Sequence, residues 1–568
     1  MSTVSGSLIT RKYTDYRGVD FTDNEVSLTR SPDSLNMWKK YSKLGKCIET
    51  RPDIELVESF DNTVFGLFFY KVGNREMMLV HSGTTLYKIE DGERQVLKET
   101  GLNPKRSNAF IYNNIWYFKD GINYLQYDGE TIGEVVGYIP TTSISRTPNG
   151  GGTIYEDVNM LTGIRKNTFV ADGESTEYYL DAQNIDANFQ PIVIVDDKLV
   201  EDFEIDTTKG MIKFKTAPAK PLTDGQDNVS IQFRKTVQGY RDRINKCTLL
   251  QVFDNRVFFS GNQDYPNTIW HCSLNDPTYC SDLDYYNEGL DLSPVTGMVA
   301  GNNALWVFKE PSQANTTVFY HNPTIDAEYG KVYPSTHSNI ATGCIGGAIN
   351  FNDDIAFFSD RGMEAINGDI TTEQVVAHRS SMVDSKLLSE ANYKNMILEE
   401  WEGYLLVIVD NKVYLADSRN MFVNQNHNEY EWFYWELSKN ITCTKVKDGI
   451  LYLCTEDGIH TMTNDKADRT VNSHWTTPFD EFNYPHYQKT TNKRGCVTDI
   501  EGTSVTVSVR IDNEAFEDIV THGNITNYVV NRIKKKKWKA IQLKFSSDKP
   551  FELFSSTLEA YVGGYIKR

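Results

Sequence analysis

Leu250-Gln251-Val252-Phe253 is followed by Asp254-Asn255 and then by Arg256-Val257-Phe258-Phe259-Ser260-Gly261. An apolar run meets a two-residue polar turn and then a second, aromatic run. Asp and Asn tolerate the positive φ of a tight hairpin turn, and β-branched and aromatic flanks favour paired strands. The same unit recurs along the chain. Ala109–Tyr112 passes Asn113-Asn114 into Ile115–Phe118, and Met298-Val299-Ala300 passes Gly301-Asn302-Asn303 into Ala304–Phe308. Gly347–Phe351 passes Asn352-Asp353-Asp354 into Ile355–Ser359, and Thr444-Lys445-Val446 passes Asp448-Gly449 into Ile450–Cys454. With Val64–Ile89 and Met396–Leu415 the count is seven units. Multi-strand repeats of about 40–50 residues are the mark of a β-propeller. Stacked β-sandwiches are the rival, and the match in strand order and turn position favours the propeller.

Two stretches interrupt the repeat. Residues 137–240 begin with the turn-rich Arg146-Thr147-Pro148-Asn149-Gly150-Gly151-Gly152 and hold strand-like runs at Thr168–Ala171, Glu177–Leu180, Ile192–Val195, Phe203–Asp206 and Met211–Phe214. They are expected to form a β-sandwich inserted in the propeller. Residues 470–568 carry the alternating run Val505–Ile511, then Trp538–Phe545 and Leu553–Val562, and are expected to form a C-terminal β-sandwich or a sheet extension. The expected organisation is an N-terminal arm at 1–55, a propeller at 56–136 and 241–469, the insertion at 137–240 and a C-terminal β domain at 470–568. Helices are nearly absent. Ser31-Pro32-Asp33 reads as a cap, a first-turn proline and an acid at the positive end of a short helix in the arm. Leu387, Leu388, Ala391 and Met396 place a second helix over about 383–399.

Composition narrows the function. The aromatic content is 12% over 568 residues, which excludes disorder on the scale of the whole chain. No apolar run approaches the ~18 residues of a spanning helix, and the start lacks the apolar core of a secretory signal peptide. The eight cysteines form no Cys-x-x-Cys pair, so reduced and mostly buried thiols are expected. The formal charge of −19 argues against tight nucleic-acid binding, which needs cations to neutralise phosphate.

No catalytic constellation stands out. The ten histidines are scattered without His-Glu-x-x-His spacing. His271-Cys272, with Cys280 beyond, reads as core or surface residues. Asp353-Asp354 and Asp15 read as turn acids rather than a cation site. Gly343-Cys344-Ile345-Gly346-Gly347 lacks an assignable histidine partner for its thiol. There is no Gly-x-Ser-x-Gly elbow and no phosphate loop. The reading is therefore no enzyme, no catalytic or metal residue and no cofactor. One basic run stands out, Arg532, Lys534, Lys535, Lys536 and Lys537 before Trp538-Lys539. It reads as a solvated or charged edge, or as a contact for an acidic neighbouring subunit.

The same residues carry a resemblance. Tyr16-Arg17-Gly18-Val19-Asp20, Arg30–Trp38 and Ile48-Glu49-Thr50-Arg51-Pro52 resemble the N-terminal arm of the tail nozzle proteins of short-tailed phages, the tail tubular protein B or packaged-DNA stabilisation family. Asn255–Asn262, Asp276-Pro277-Thr278-Tyr279, Leu305–Glu310 and Gly343–Gly362 extend it, so that it covers most of residues 15–470. The insertion and the C-terminal domain match less distinctly. The resemblance implies a structural virion protein, made in the host cytoplasm, that forms a homo-oligomeric ring, a hexamer, at the end of a portal–adaptor stack. The ring would retain packaged DNA and conduct the duplex through an acidic channel on ejection. Loops at Asn149–Gly152 and Pro311–Thr317 are gating candidates. The arm, the insertion and the 532–539 run would supply much of the contact between subunits. The alternatives are a head–tail connector or stopper ring, a receptor- or glycan-binding propeller at the tail tip, and a glycan-cleaving propeller, which needs two carboxylates about 5–9.5 Å apart.

Overall fold

The computed structural model describes residues 6–22, 26–39, 47–313, 317–327, 330–367, 375–424, 427–463, 470–534 and 537–565. The fold is all-β, with a β-propeller as its main part. Seven four-stranded antiparallel meanders form the blades, at residues 64–98, 108–134, 249–287, 295–337, 347–378, 397–436 and 443–463. The last has only three strands of its own. Its fourth is Asp53–Ser59, which pairs with Gly458–Thr463 across a register shift at Leu56/Glu58. The expected arm boundary at 55 thus falls inside a blade strand.

The turns explain the recurrence. Asn113 and Asn114, Asp254 and Asn255, Asn302 and Asn303, and Asn352 and Asp353 all have positive φ, between 48° and 65°. Each pair joins the first and second strands of a blade in the register of a two-residue hairpin. The second strands are the most buried. Ala304–Lys309 and Tyr404–Val409 are buried at every position, as a strand packed on both faces must be.

The chain divides into two compact units, one of Met1–Leu67 with Thr342–Arg568 and one of Phe68–Ala341. In the second, the insertion between the second and third blades has a six-stranded and a three-stranded sheet sharing one core. Phe169, Val193, Ile231 and Phe233 come from the larger sheet, and Tyr178, Ile212 and Phe214 from the smaller. In the first unit, the tail is continuous with the sixth blade. Sheet order runs from that blade through Met37–Trp38 and Ile48–Thr50 to Phe551–Tyr565 and Tyr487–Ile511. The 25-residue strand Tyr487–Ile511 changes partners along its length. Cys496–Asp499 pairs with Tyr528–Asn531, whereas Thr506–Ile511 pairs with Ile541–Ser546.

Both expected helices are corrected. Ser31-Pro32-Asp33 is not helical: the Ser31 hydroxyl accepts the Asp33 N–H at 3.3 Å, a local turn, and Leu35 N–H donates to His474 O at 3.0 Å. Sheet bonding takes the backbone groups that a helix would use. In 383–399 the helix is confined to Asp384–Leu387, with a 3₁₀ turn at Tyr393–Asn395. Ile397–Trp401 is instead a blade strand paired with Tyr404–Val409. Helical spacing loses there to a hairpin partner.

Candidate functional site

Two sorts of feature compete for a functional role, buried polar clusters and exposed surfaces. The residues behind the family resemblance belong to the first sort and do structural work. Asn36, at φ 57°, accepts the Arg51 Nε–H and the Glu436 N–H through Oδ1, both at 2.9 Å, and donates Nδ2–H to Asn472 O at 2.7 Å. Arg51 also donates to Pro52 O and Glu436 O. Gly18 has φ 85°, and a Cβ there would stand 2.0 Å from Trp432 O. The arm is thereby tied into the sixth blade and the tail domain.

Sequence reading missed two clusters, because no motif joins residues that only blade folding brings together. His378 Nε2 lies 2.5 Å from Asp384 Oδ2, and Nδ1 lies 3.4 Å from Glu364 Oε1. Burial disfavours the imidazolium, but the hydrogen bonds to Asp384 and Glu364 outweigh it and push His378 up to about 10. In the other unit, His321 and Glu288 are wholly buried with Nε2–Oε1 at 3.0 Å. His321 Nδ1–H donates to Tyr333 O at 2.8 Å, and the Ser335 hydroxyl donates to Glu288 Oε2 at 2.5 Å. Both clusters are saturated by protein groups.

His378 carries a prediction. Its folded pKa lies above its unfolded value, so its contribution to stability is full below about 6.5 and is lost as pH rises to about 10. Urea denaturation at pH 6 and pH 9.5 is expected to show a larger loss of stability for wild type than for His378→Gln. Equal losses in the two proteins would contradict it.

The other sequence candidates separate. His271 is buried against Phe258, Tyr286 and Tyr333, and burial pushes it down to about 4. Burial pushes neighbouring Cys272 up to about 12, the reverse of an activated thiolate. Cys344 donates its S–H to Gly347 O at 3.2 Å. All eight cysteines are buried. Asp353 is a turn residue at φ 65°, while Asp354 bonds Arg379 Nε at 2.9 Å and the Tyr430 hydroxyl. Asp15 pairs with Arg17 at 3.0 Å. Among the described residues no three His, Cys, Asp or Glu side chains are grouped to hold a metal ion. No described helix is long and apolar enough to cross a membrane.

The exposed surfaces are of two kinds. In the tail domain, Trp538 is buried, donating Nε1–H to the Thr491 hydroxyl at 2.9 Å, and it anchors the basic run. Arg532, Lys534, Lys537 and Lys539 point to solvent and make no ion pair among the described residues, while Lys535 and Lys536 lie outside them. In the second unit, Leu283, Tyr285, Leu290 and Leu292 all stand in water within ten residues. Ile154 and Tyr155 do so just after the Asn149–Gly152 turn, which Thr147 and Gly150 close with mutual backbone bonds. In the Pro311–Thr317 segment, residues 314–316 lie outside the described residues, and Thr317 is buried with its hydroxyl on Ile340 O.

No protein-family model matches the chain, and no curated protein sequence matches it. Among solved structures it is similar to BamB from Moraxella catarrhalis, at 11% identity over 73% of this chain and 98% of that one, TM-score 0.32. It is similar to AztD from Citrobacter koseri, at 10% identity over 83% and 97%, TM-score 0.31. It is similar also to the β-propeller domain of Cps50 (Swd1) from Myceliophteria thermophila, at 10% identity over 49% and 72%, TM-score 0.23. Likenesses at these scores carry no argument about function, and the propeller rests on the strand pairing described above.

Proposed function

We propose that this chain is a structural subunit of a phage tail, a nozzle or hub ring that retains packaged DNA and conducts it during ejection, and that it is not an enzyme. The observation that carries the reading is the run Leu283, Tyr285, Leu290 and Leu292, four large apolar side chains left in water within ten residues of one segment. Large apolar side chains exposed this densely along one segment support a protein contact, whereas single exposed leucines need no explanation. The basic run at 532–539, in a chain of charge −19, supports the reading, since an identical acidic subunit supplies the counter-charge. The arm motifs that resemble the nozzle family join arm, sixth blade and tail in one sheet. An acidic wall would let a duplex slide, because nothing on it neutralises phosphate.

Native mass spectrometry with negative-stain class averages tests this. The expected result is a closed ring with an axial hole wide enough for duplex DNA. Leu290→Asp with Leu292→Asp is expected to reduce the ring to monomers while the blades stay folded. A wild-type chain that remains monomeric and binds a glycan would replace this reading with that of a receptor-binding propeller. Copy number separates a nozzle from a connector.

A further inference from the structure

Two strands of the seventh blade, Cys443–Lys447 and Ile450–Cys454, are joined by Asp448 and Gly449 at φ 51° and 78°, a two-residue hairpin turn. A turn of that kind fixes the register, which runs from Lys447 opposite Ile450 out to Cys443 opposite Cys454. Directly opposed residues of an antiparallel pair project to the same side of the sheet, with Cα atoms about 4.5–5.5 Å apart. A disulfide spans about 4.4–6.8 Å between Cα atoms. Among the eight cysteines, all of them free thiols, no other two are partners in a described strand register.

The two thiols differ in access. Cys454 is 0% exposed and Cys443 is 6% exposed. The next pair on their face is Lys445 opposite Tyr452, with Lys445 exposed and Tyr452 half-buried, so the cysteines sit at the margin of the buried surface. The other face of the hairpin, with Leu451 and Leu453, enters the core. Cys443 Sγ makes a weak contact with Val64 O at 3.8 Å. Burial holds the Cys454 thiol in its protonated form, and hydrogen bonding to Cys443 adds to this.

We propose that Cys443 and Cys454 are a peroxide-sensitive pair that closes to a disulfide and staples the hairpin of the seventh blade. Hydrogen peroxide is small and neutral, so it reaches a sulfur at the margin of the core that a bulky oxidant does not. Cys443, the more exposed sulfur, reacts first. Its thiolate attacks one peroxide oxygen; the S–O bond forms, the O–O bond breaks, and the departing hydroxide leaves as water with the proton that Cys443 gave up. The Cys454 sulfur then attacks the sulfenic sulfur of Cys443. The S–S bond forms, the S–O bond breaks, and a second water carries away the Cys454 proton. Two thiols and one peroxide thus give one disulfide and two waters. The bond joins strands that already face each other, so it restricts the unfolded hairpin while asking little of the folded one. It also fastens the blade that borrows its fourth strand from Asp53–Ser59.

The test exposes the full native chain to a small excess of hydrogen peroxide, removes the excess with catalase, and then denatures and alkylates the protein. The expected result is six alkylated cysteines in place of eight, with a tryptic species that joins residues 440–445 to residues 448–466 and that dithiothreitol separates. Cys454→Ser is expected to leave Cys443 as a sulfenic acid that dimedone traps. Oxidised wild type is expected to unfold at a higher urea concentration than the reduced protein, and Cys443→Ser to show no such gain. Eight alkylated cysteines after peroxide, a disulfide between any other two, or the same urea midpoint for oxidised and reduced wild type would overturn the proposal. The wild-type measurements stand even if a variant fails to fold.

Discussion

A chain lacking residues 1–50 is expected to be insoluble, or to lose its tail domain and sixth blade as ordered structure. Leu8–Tyr13 pairs residue for residue with Tyr561–Ser556. Met37–Trp38 and Ile48–Thr50 are the strands that connect the sixth blade to Phe551–Tyr565 in the sheet. Trp38 is stacked on Trp401 at 5.6 Å and edge-on to Trp435 at 5.2 Å. Tyr13, Tyr16, Val19, Met37, Trp38 and Ile48 are all buried. At about 1.5–3 kcal/mol per buried large apolar side chain, these six contribute upwards of about 9 kcal/mol. That is comparable to the whole net stability of a typical domain, about 5–15 kcal/mol. The deletion also bares two sheet edges beside exposed tryptophans, a route to aggregation. Hydrogen exchange on any soluble truncated protein would decide the matter, and native protection in both Phe551–Tyr565 and His427–Glu436 would sink the prediction. The arm's apolar residues are spent inside its own unit, so this deletion reads folding before it reads assembly.

The blades were legible because the hairpin turns carry their own chemistry. Paired Asn and Asp residues at positive φ, set between apolar runs, give the first two strands of a blade without reference to anything distant. The fourth strands were not legible. Tyr285–Asn287 and Ser335–His337 are short and largely solvent-facing, so apolar patterning does not reach them. The pairing of Asp53–Ser59 with the seventh blade joins residues some 400 positions apart, which local pattern cannot encode. The tail showed only its alternating end. The first half of Tyr487–Ile511 is polar and interrupted by register shifts at Thr491/Cys496 and Asp499/Ile500, which break the period of two. The basic run at 532–539 was legible from composition alone, and the structure adds the buried Trp538 that holds it.

Asn36→Ala is expected to lower stability by about 3–5 kcal/mol without touching any exposed surface. The side chain is buried and joins four separated segments of chain, at 36, 51, 436 and 472. Alanine removes one acceptor and one donor. It leaves the Arg51 Nε–H, the Glu436 N–H and the Asn472 carbonyl without this partner, in a site with little room for water to replace it. An unsatisfied buried group costs about 1–3 kcal/mol, and more for a cation. Backbone geometry adds to this. Asn is among the few side chains at ease at φ 57°, and alanine there costs about 1 kcal/mol. Asn36→Gly separates the two contributions, since glycine accepts the backbone but loses the same hydrogen bonds, and it should lie about 1 kcal/mol above alanine. Asn36→Asp keeps an acceptor for Arg51 but loses the donor to Asn472, so it should fall between wild type and alanine. At about 2–4 °C per kcal/mol for a large domain, the alanine variant should melt roughly 6–20 °C lower. Urea titrations of the three variants give the ordering directly. An alanine variant within 1 kcal/mol of wild type would mean that the arm is held by its apolar strands alone, and that the Asn36–Arg51 lock only sets their register.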